Sequence, residues 1–584
     1  MNILRHVLGI VIATAITSCC DYEWCSDIET PRDITQCFDA QGKAWLTISF
    51  DLSQPPKPTR ADNDAFGDGD ESECAIKTLT VILFHGPQTA DEDSLVVAST
   101  YTVGYTPFKH TESQLTNYSG ATVHISHDNL VVGDRLSLLA IANMVPDISI
   151  GQTFAAVKNQ ELSKLTYTID DNDYFVMTNS PLATASNGSG EVQTLIDISP
   201  DYLFPSAEES QLHPAGEIYM ERAAARLTVT QTISPMVIKG NTDVSFNLSD
   251  MRFGLYKYNL KCYLLRHFDN QWLSYNTTGC GYRFTEPSAL PTGRYRTYWA
   301  HDPNYNGTGS MLNTFDGWKV IGDSYYMAEN TFDVSHMTYE NTTAAIICIQ
   351  LNGGNDFYTT STTGSDIIYQ LPESSLEEQG TSAHSTFARQ RSPKVSTSST
   401  IDEYLREWLM QTNKNFRQWV NDYAGGEVNH VHIAVEKDAS DGLNNARVTA
   451  VTQTARTSGQ GITDFNLLNL VDYLNTNISL SYYHEGRCFY HIPIRHFDDT
   501  LTPWQSPATA TDNSAMQAYG NNENDYLGRY GVVRNNWYNI NINSITHIGS
   551  PVIPSQGSDA DDKVEQLLNA TLSISGWTIH NQNL

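Results

Sequence analysis

The sequence predicts a mainly β protein built from two β-sandwiches, and three observations lead there. Short runs with a period of two recur along the chain. Turn-forming Gly, Pro, Asn and Asp cluster between those runs. Long helical patterns do not alternate regularly with them, which argues against a doubly wound α/β sheet. The 584 residues suffice for two large sandwiches. The 31 Tyr and abundant Thr suit strands, and the many Asn suit turns.

Residues 44–52, AWLTISFDL, open the pattern. Leu46, Ile48, Phe50 and Leu52 share one face, and Trp45, Thr47, Ser49 and Asp51 the other, as in a half-buried strand. The next stretch, SQPPKPTRADNDAFGDGDESE, is rich in Pro, Gly and acid and reads as an exposed loop. Within it, Arg60 followed by Ala61 offers a trypsin-like protease a cleavage point. Residues 75–84 read as a fully buried strand, with further strands at 96–102, 121–126, 136–143 and 174–178. A second set begins at 217–233, EIYMERAAARLTVTQTI, and continues at 252–258, 325–329, 344–351, 431–435, 445–453, 487–494 and 537–545.

One helix is expected, over 401–423. Tyr404, Leu405, Trp408, Leu409, Phe416, Trp419 and Tyr423 fall at helical spacing, Thr400 and Glu403 form a capping box, and Gly425-Gly426 end it. The C-terminus alternates again. Leu568, Ala570, Leu572 and Ile574 share a face, Gly576 breaks the parity, and Trp577 and Ile579 continue on the other phase. This predicts two short strand segments joined at a glycine kink or bulge. An acidic, linker-like stretch precedes them at about 550–563.

Charge and leader bound the function. The chain carries 35 Lys+Arg against 66 Asp+Glu, a net −31, which disfavours nucleic acid and anionic lipid surfaces. Residues 7–16, VLGIVIATAI, form an apolar run of signal-peptide length, and Ile16-Thr17-Ser18-Cys19 resembles the bacterial lipobox. Cys19 is the expected lipidation site, with Cys20 beside it as the alternative. Of the nine Cys none forms C-x-x-C; Cys262 and Cys280 are close enough in sequence to pair.

Sites for chemistry are few. Asp62, Asp64, Asp68 and Asp70 hint at a calcium loop, but Phe66 stands where an oxygen ligand belongs, so a solvated acidic loop is the better reading. His430 and His432 share a strand face without a third ligand at zinc spacing, and His491 and His496 read as surface or packed strand residues. Glu221, Arg222 and Arg226 suggest a charge pair between domains. No G-x-S-x-G, H-E-x-x-H, P-loop or dinucleotide fingerprint occurs. No catalytic residue, metal or cofactor is therefore assigned, and the chain is read as a non-enzyme. Trp408 and Trp504 would stack on sugars if exposed, which keeps a surface glycan-binding lipoprotein as an alternative.

Several stretches together resemble the Bacteroidales fimbrillins, the type V pilins, especially shaft subunits of the minor-fimbrium type. They are AFGDGDESE leading into KTLTVILFHG within 61–86, EIYMERAAARLTV at 217–229, YYMAENT at 325–331, YYHEGRCFYHIPIRHFDDTLTPW at 482–504, YGVVRNNWYNINI at 530–542 followed by IGSPV, and the terminal LSISGWTIHNQNL. Residues 355–425 match nothing in that family and read as an insertion. The resemblance implies two transthyretin-like Greek-key sandwiches, at 61–214 and 215–563, after a signal peptide (1–18) and a lipidated propeptide (19–60). A C-terminal donor tail follows (564–584). It further implies a lipoprotein precursor at the outer membrane, cut by an Arg-specific surface protease between Arg60 and Ala61. The strand 44–52, with Leu46, Ile48, Phe50 and Leu52, then leaves. The tail of another pilin, with Leu568, Leu572, Ile574, Trp577 and Ile579, takes its place, giving a surface fimbrium that supports adhesion and biofilm formation. A tip or anchor subunit is the alternative within the family.

Overall fold

A computed structural model of the chain describes residues 37–51, 66–68, 71–104, 118–186, 190–238, 241–275, 283–286, 288–307, 311–312, 315, 317–354, 356–362, 366–370, 385–386, 401–423, 426–438, 445–453, 465–466, 468–497, 523–545, 548–553 and 568–578. Cys19, Cys20, Leu52, Arg60, Ala61, Asp62, Asp64, Asp70, Cys280, Thr400, Gly425, Trp504 and Ile579 lie outside these residues.

The architecture is mainly β. The N-terminal unit contains β1 (Lys43–Asp51), β3 (Thr78–Gly86), β4 (Val96–Gly104), β5 (Tyr118–Ser126), β6 (Arg135–Ala142), β7 (Met177–Asn179), β8 (Ile196–Ile198) and β9 (Glu217–Arg222). β2 (Phe66–Asp68) belongs elsewhere. The strand order is β4-β3-β6-β7-β9-β1-β5, with β8 also paired to β6. The sheet folds over so that β4 returns against β5. One core therefore gathers Leu46, Ile48 and Phe50 from β1, Val81 and Leu83 from β3, Val123 and Ile125 from β5 and Leu138 from β6.

The second sandwich packs two sheets. One runs β12 (Ser324–Met327), β10 (Ala225–Gln231), β15 (Asn536–Ile545), β16 (Leu568–Thr578) and β2. The other holds Lys319–Val320, β11 (Arg252–Tyr256), β13 (Ala344–Gln350) and β14 (Arg487–Pro493). Period-two burial produces the core between them: Tyr538, Ile540 and Ile542 of β15 face Ala345, Ile347 and Ile349 of β13. The sandwiches are joined by more than the β9–β10 link. Leu182–Ala183 pairs with Tyr295–Arg296, Glu161–Leu162 with Cys262–Tyr263, and a shared core brings Leu162 and Val176 together with Cys262, Leu264 and Ala328.

A third layer grows out of the β13–β14 hairpin. Six strands, from Phe357–Thr362 to Ile478–Tyr483, form one sheet beside α3 (Ile401–Thr412), α4 (Lys414–Tyr423) and α5 (Leu470–Asn477). Its core includes Leu405, Leu409, Phe416, Val420, Val431 and Leu480. This layer extends well past the 355–425 stretch that stands out in the sequence.

Several expectations are corrected. The single helix over 401–423 is two helices, because Asn413 turns its side chain onto the Phe416 N–H (2.9 Å) and starts a new helix. Arg417 donates to the carbonyls of Met410 (2.6 Å) and Gln411 (2.7 Å) that the break leaves free. Trp408 is 6% exposed and packs in the helical core, so it offers no sugar platform. β16 runs through Gly576 without a kink; the extra residue is Asn543 on β15, skipped between Ile542 and Ser544. Cys262 is a buried free thiol against the Ala223 carbonyl. Of the two expected settings for His496 the packed one is found, between the Tyr538 hydroxyl (2.8 Å) and the Tyr298 carbonyl (3.0 Å).

Candidate functional site

β1 sits inside its sheet. It is antiparallel to β5 in unbroken register from Lys43↔Ser126 to Asp51↔Tyr118. On its other edge it is parallel to β9 only over Ser49–Asp51. Upstream, the chain before β9 takes over. Trp45 exchanges backbone hydrogen bonds with Phe204 (2.7 and 2.9 Å), Ala215 N–H donates to the Thr47 carbonyl (2.8 Å), and Ser49 N–H donates to Gly216 (3.0 Å).

Both faces of β1 are covered. Inward, Leu46, Ile48 and Phe50 are 0%, 2% and 0% exposed. Outward, the alternation predicts solvent, yet Thr47 is fully buried and Ser49 nearly so. The reason is α2 (Ala207–Leu212), capped by Ser206 and laid across the strand. Thr47 Oγ1 lies 2.8 Å from Ser210 Oγ and 2.9 Å from Thr122 Oγ1, and Ser49 Oγ donates to the Gly216 carbonyl (2.9 Å). The half-buried strand of the sequence reading is thus a core strand with two matched hydroxyls. If β1 left, an apolar groove and two unpaired backbone edges would remain, which is the chemistry of strand recruitment.

The tail lies at the far end of the molecule's other sheet. β16 is antiparallel to β15, with Leu572↔Ile540 and Ile574↔Tyr538. Its Ala570 and Leu572 are only partly buried against the core. Among the described residues its outer edge meets β2, parallel, with Phe66↔Gly576 and Asp68↔Thr578. The sequence leads one to expect a detached tail; in the single chain it is seated in cis. It lies next to the segment that follows Arg60.

That segment is anchored between the sandwiches. In α1 (Glu71–Cys74), the Glu73 carboxylate pairs with Arg226 (3.0 Å) and accepts from the Tyr326 hydroxyl, while its carbonyl accepts from Arg222 Nε (2.7 Å). Arg222 also reaches Cys74 Sγ (3.1 Å), and burial pulls its pKa down to about 10, so it stays charged at neutral pH. The Arg226 guanidinium lies 4.1 Å over the Trp537 ring. The end of the acidic loop is therefore a buried anchor and not solvated. Glu221 pairs instead with Arg266 (3.0 Å), both sealed from solvent, which corrects the expected grouping of Glu221 with Arg222 and Arg226. These contacts link EIYMERAAARLTV to the chain after Arg60, a function the sequence does not signal.

A second buried pair, Arg534–Glu329 (2.6 Å, neither exposed), joins YGVVRNNW to YYMAENT. Burial alone would lower the Arg534 pKa, but the Glu329 charge holds it above the ordinary value. Nearby Asp302 is raised to about 8 by burial, despite accepting from the N–H groups of Thr331 (2.5 Å) and Asn304 (2.6 Å). Among the described residues no cluster of His, Cys, Asp or Glu is arranged to hold a metal, and no helix is long and apolar enough to cross a membrane. His430 lies 3.4 Å from Glu427, and His432 3.9 Å from Asp402, on separate partners.

Comparisons with known proteins point the same way as the motifs. The family described as major fimbrial subunit protein (FimA) matches residues 46–204, and the family described as major fimbrial subunit protein type IV, fimbrillin, C-terminal, matches residues 481–583. No curated protein matches the chain. Among solved structures, a fimbrilin (FimA) from Porphyromonas gingivalis is 13% identical, with 92% of this chain and 99% of that one covered and a TM-score of 0.32. The tip fimbrial protein Mfa3 from the same organism, solved with a C-terminal truncation, is 12% identical, covering 92% and 100% with a TM-score of 0.29. A fimbrial assembly protein from Parabacteroides distasonis is 11% identical, covering 59% and 98% with a TM-score of 0.23.

Proposed function

Belonging to the fimbrillin family, the chain is, we propose, a structural subunit of a fimbrial shaft that polymerises by exchanging strands. The precursor is lipidated at Cys19 and carried to the outer membrane surface. An Arg-specific protease cuts after Arg60. Lipid and β1 leave together, and the C-terminal tail of another subunit fills the vacated slot. The resulting surface fimbrium supports adhesion and biofilm formation.

One observation carries this reading: the strand that precedes Arg60 in the sequence fills a central, doubly covered slot, while an alternating tail occupies a mostly one-sided edge. Before cleavage β1 caps its own groove and prevents premature assembly. Head-to-tail exchange is heterologous and does not close on itself, so it builds a filament. Having both an Arg60 cleavage point after the first strand and an alternating C-terminal tail favours a shaft position over an anchor, which keeps its first strand, or a tip, which needs no donor tail.

Mass spectrometry of surface filaments tests this directly. The expected mature N-terminus is Ala61. Polymers made of chains that retain lipid and residues 44–52 would refute it. Deleting residues 567–584 should leave cleaved chains as soluble monomers.

A further inference from the structure

We infer that the strand filling the slot is residues 570–575 from a second copy of this same chain, in a single register set by the Ala-Leu-Ile order of its inward face. This rests on the strand-exchange reading above and specifies its partner and alignment.

The tail is a sequence copy of the strand it would replace. Ala44-Trp45-Leu46-Thr47-Ile48-Ser49 stands against Ala570-Thr571-Leu572-Ser573-Ile574-Ser575. Four of these six positions are identical, and a fifth exchanges Thr for Ser, both hydroxyl-bearing. The slot explains why those positions matter. Leu46 and Ile48 fill the core, and Ala44, also fully buried, leaves no room for a larger side chain. Thr47 bridges the buried Ser210 and the half-buried Thr122, and Ser49 Oγ adds a second bond to the Gly216 carbonyl beside that of its own N–H. An incoming strand with no hydroxyl on its outer face would forfeit these bonds, leaving Ser210 with the Ala207 carbonyl and Thr122 with the Gln211 amide.

Alternation alone permits slips of two residues. Moving the tail by two would place Leu568 in the Ala44 site and Ala570 in the Leu46 site. That overpacks one position and leaves a cavity in the next, and both are unfavourable in a close-packed core. The unshifted register keeps Ala, Leu and Ile where the core already fits them. The likeness ends at Ser575, where Gly576 stands against Phe50.

The donor must run in the direction of β1, antiparallel to β5 and parallel to β9. Leaving its cis seat, where Leu572 is only partly buried, for a slot where Leu46 is fully buried gives the exchange its direction. A match held within one chain makes that chain its own fitting partner, which favours long runs of one subunit.

The test uses Thr122, the β5 residue opposite Thr47. Cleaved, assembled chains carrying Thr122→Cys with Ser573→Cys should form covalent ladders between subunits on mild oxidation, and Thr122→Cys with Thr571→Cys should not. Cys74, Cys262, Cys348 and Cys488 are all buried, and both variants also carry Cys280→Ser to keep background low. Ladders from the Thr571→Cys pair instead, or from neither pair in filaments that still require residues 567–584, overturn the register and leave strand exchange standing. Filaments that form without residues 567–584 overturn strand exchange itself. A second readout is assembly rate. Ser573→Val should slow it roughly tenfold by removing the hydroxyl that bridges Ser210 and Thr122, and Ser573→Thr should not. Equal rates for the two variants would refute a hydroxyl contribution at the Thr47 position.

Discussion

Arg534 and Glu329 meet fully buried and paired through two hydrogen bonds, Nε to Oε2 (2.9 Å) and Nη2 to Oε1 (2.6 Å). Arg534→Met would strand the Glu329 carboxylate away from water, an expected loss of about 3–5 kcal/mol in urea unfolding. Adding Glu329→Leu should recover part of that loss, because the uncompensated charge is then gone. Asp302, close by, gives a pH signature. Its folded pKa of about 8 lies above the usual carboxylate value, so from about pH 4 to 8 the folded chain holds a proton the unfolded chain has released. Its contribution is therefore present at low pH and is lost as pH rises through 8. Asp302→Asn cannot titrate, and its unfolding free energy should fall less steeply than wild type between pH 6 and 8.5. Parallel slopes would show that Asp302 does not hold that proton.

At the level of elements, the strands were the easiest features to read from sequence. Period-two runs at 44–52, 96–102, 121–126 and 537–545 became β1, β4, β5 and β15, shifted by a few residues. What escaped reading depends on contacts from afar. Nothing in AWLTISFDL tells that α2, more than 150 positions on, buries Thr47. The aromatic stripe of 401–423 satisfies one long helix, and only the local competition of Asn413 and Arg417 splits it. The β13–β14 insertion was visible as an unfamiliar stretch, but its strands up to Tyr483 read like any others. Because Thr360 and Leu480 are register partners in its stalk, joining them through Asn-Gly in place of residues 361–479 should close a hairpin. Phe357 and Tyr483, stacked at 4.4 Å, would still plug the sandwich core. The shortened chain should keep its melting temperature within a few degrees and still assemble; collapse of the sandwich would show that the insertion is needed for its fold.

For the whole molecule, the first strand belongs to the N-terminal core, and the proposed cleavage after Arg60 would take it out of that core. Removing it takes Leu46, Ile48 and Phe50 from the interior. At roughly 1.5–3 kcal/mol each, that is a gross loss of about 5–9 kcal/mol, before the entropy released by freeing the strand offsets part of it. The second sandwich contributes nothing from β1 to its own core. A chain beginning at Ala61, held below its polymerisation concentration and lacking residues 567–584, should show an early calorimetric transition that the full-length chain lacks. The interdomain anchor of Glu73 on Arg222 and Arg226 lies beyond Arg60 and is kept in such a chain, so the later transition should persist. A synthetic peptide spanning residues 568–580 binds only the folded form with the open slot, and it should raise the early transition in proportion to the logarithm of its concentration. The same peptide with Asp in place of Leu572 and Ile574 would place charges in the apolar groove and should leave the transition where it was. A shift produced equally by both peptides would mean that the groove does not select the tail.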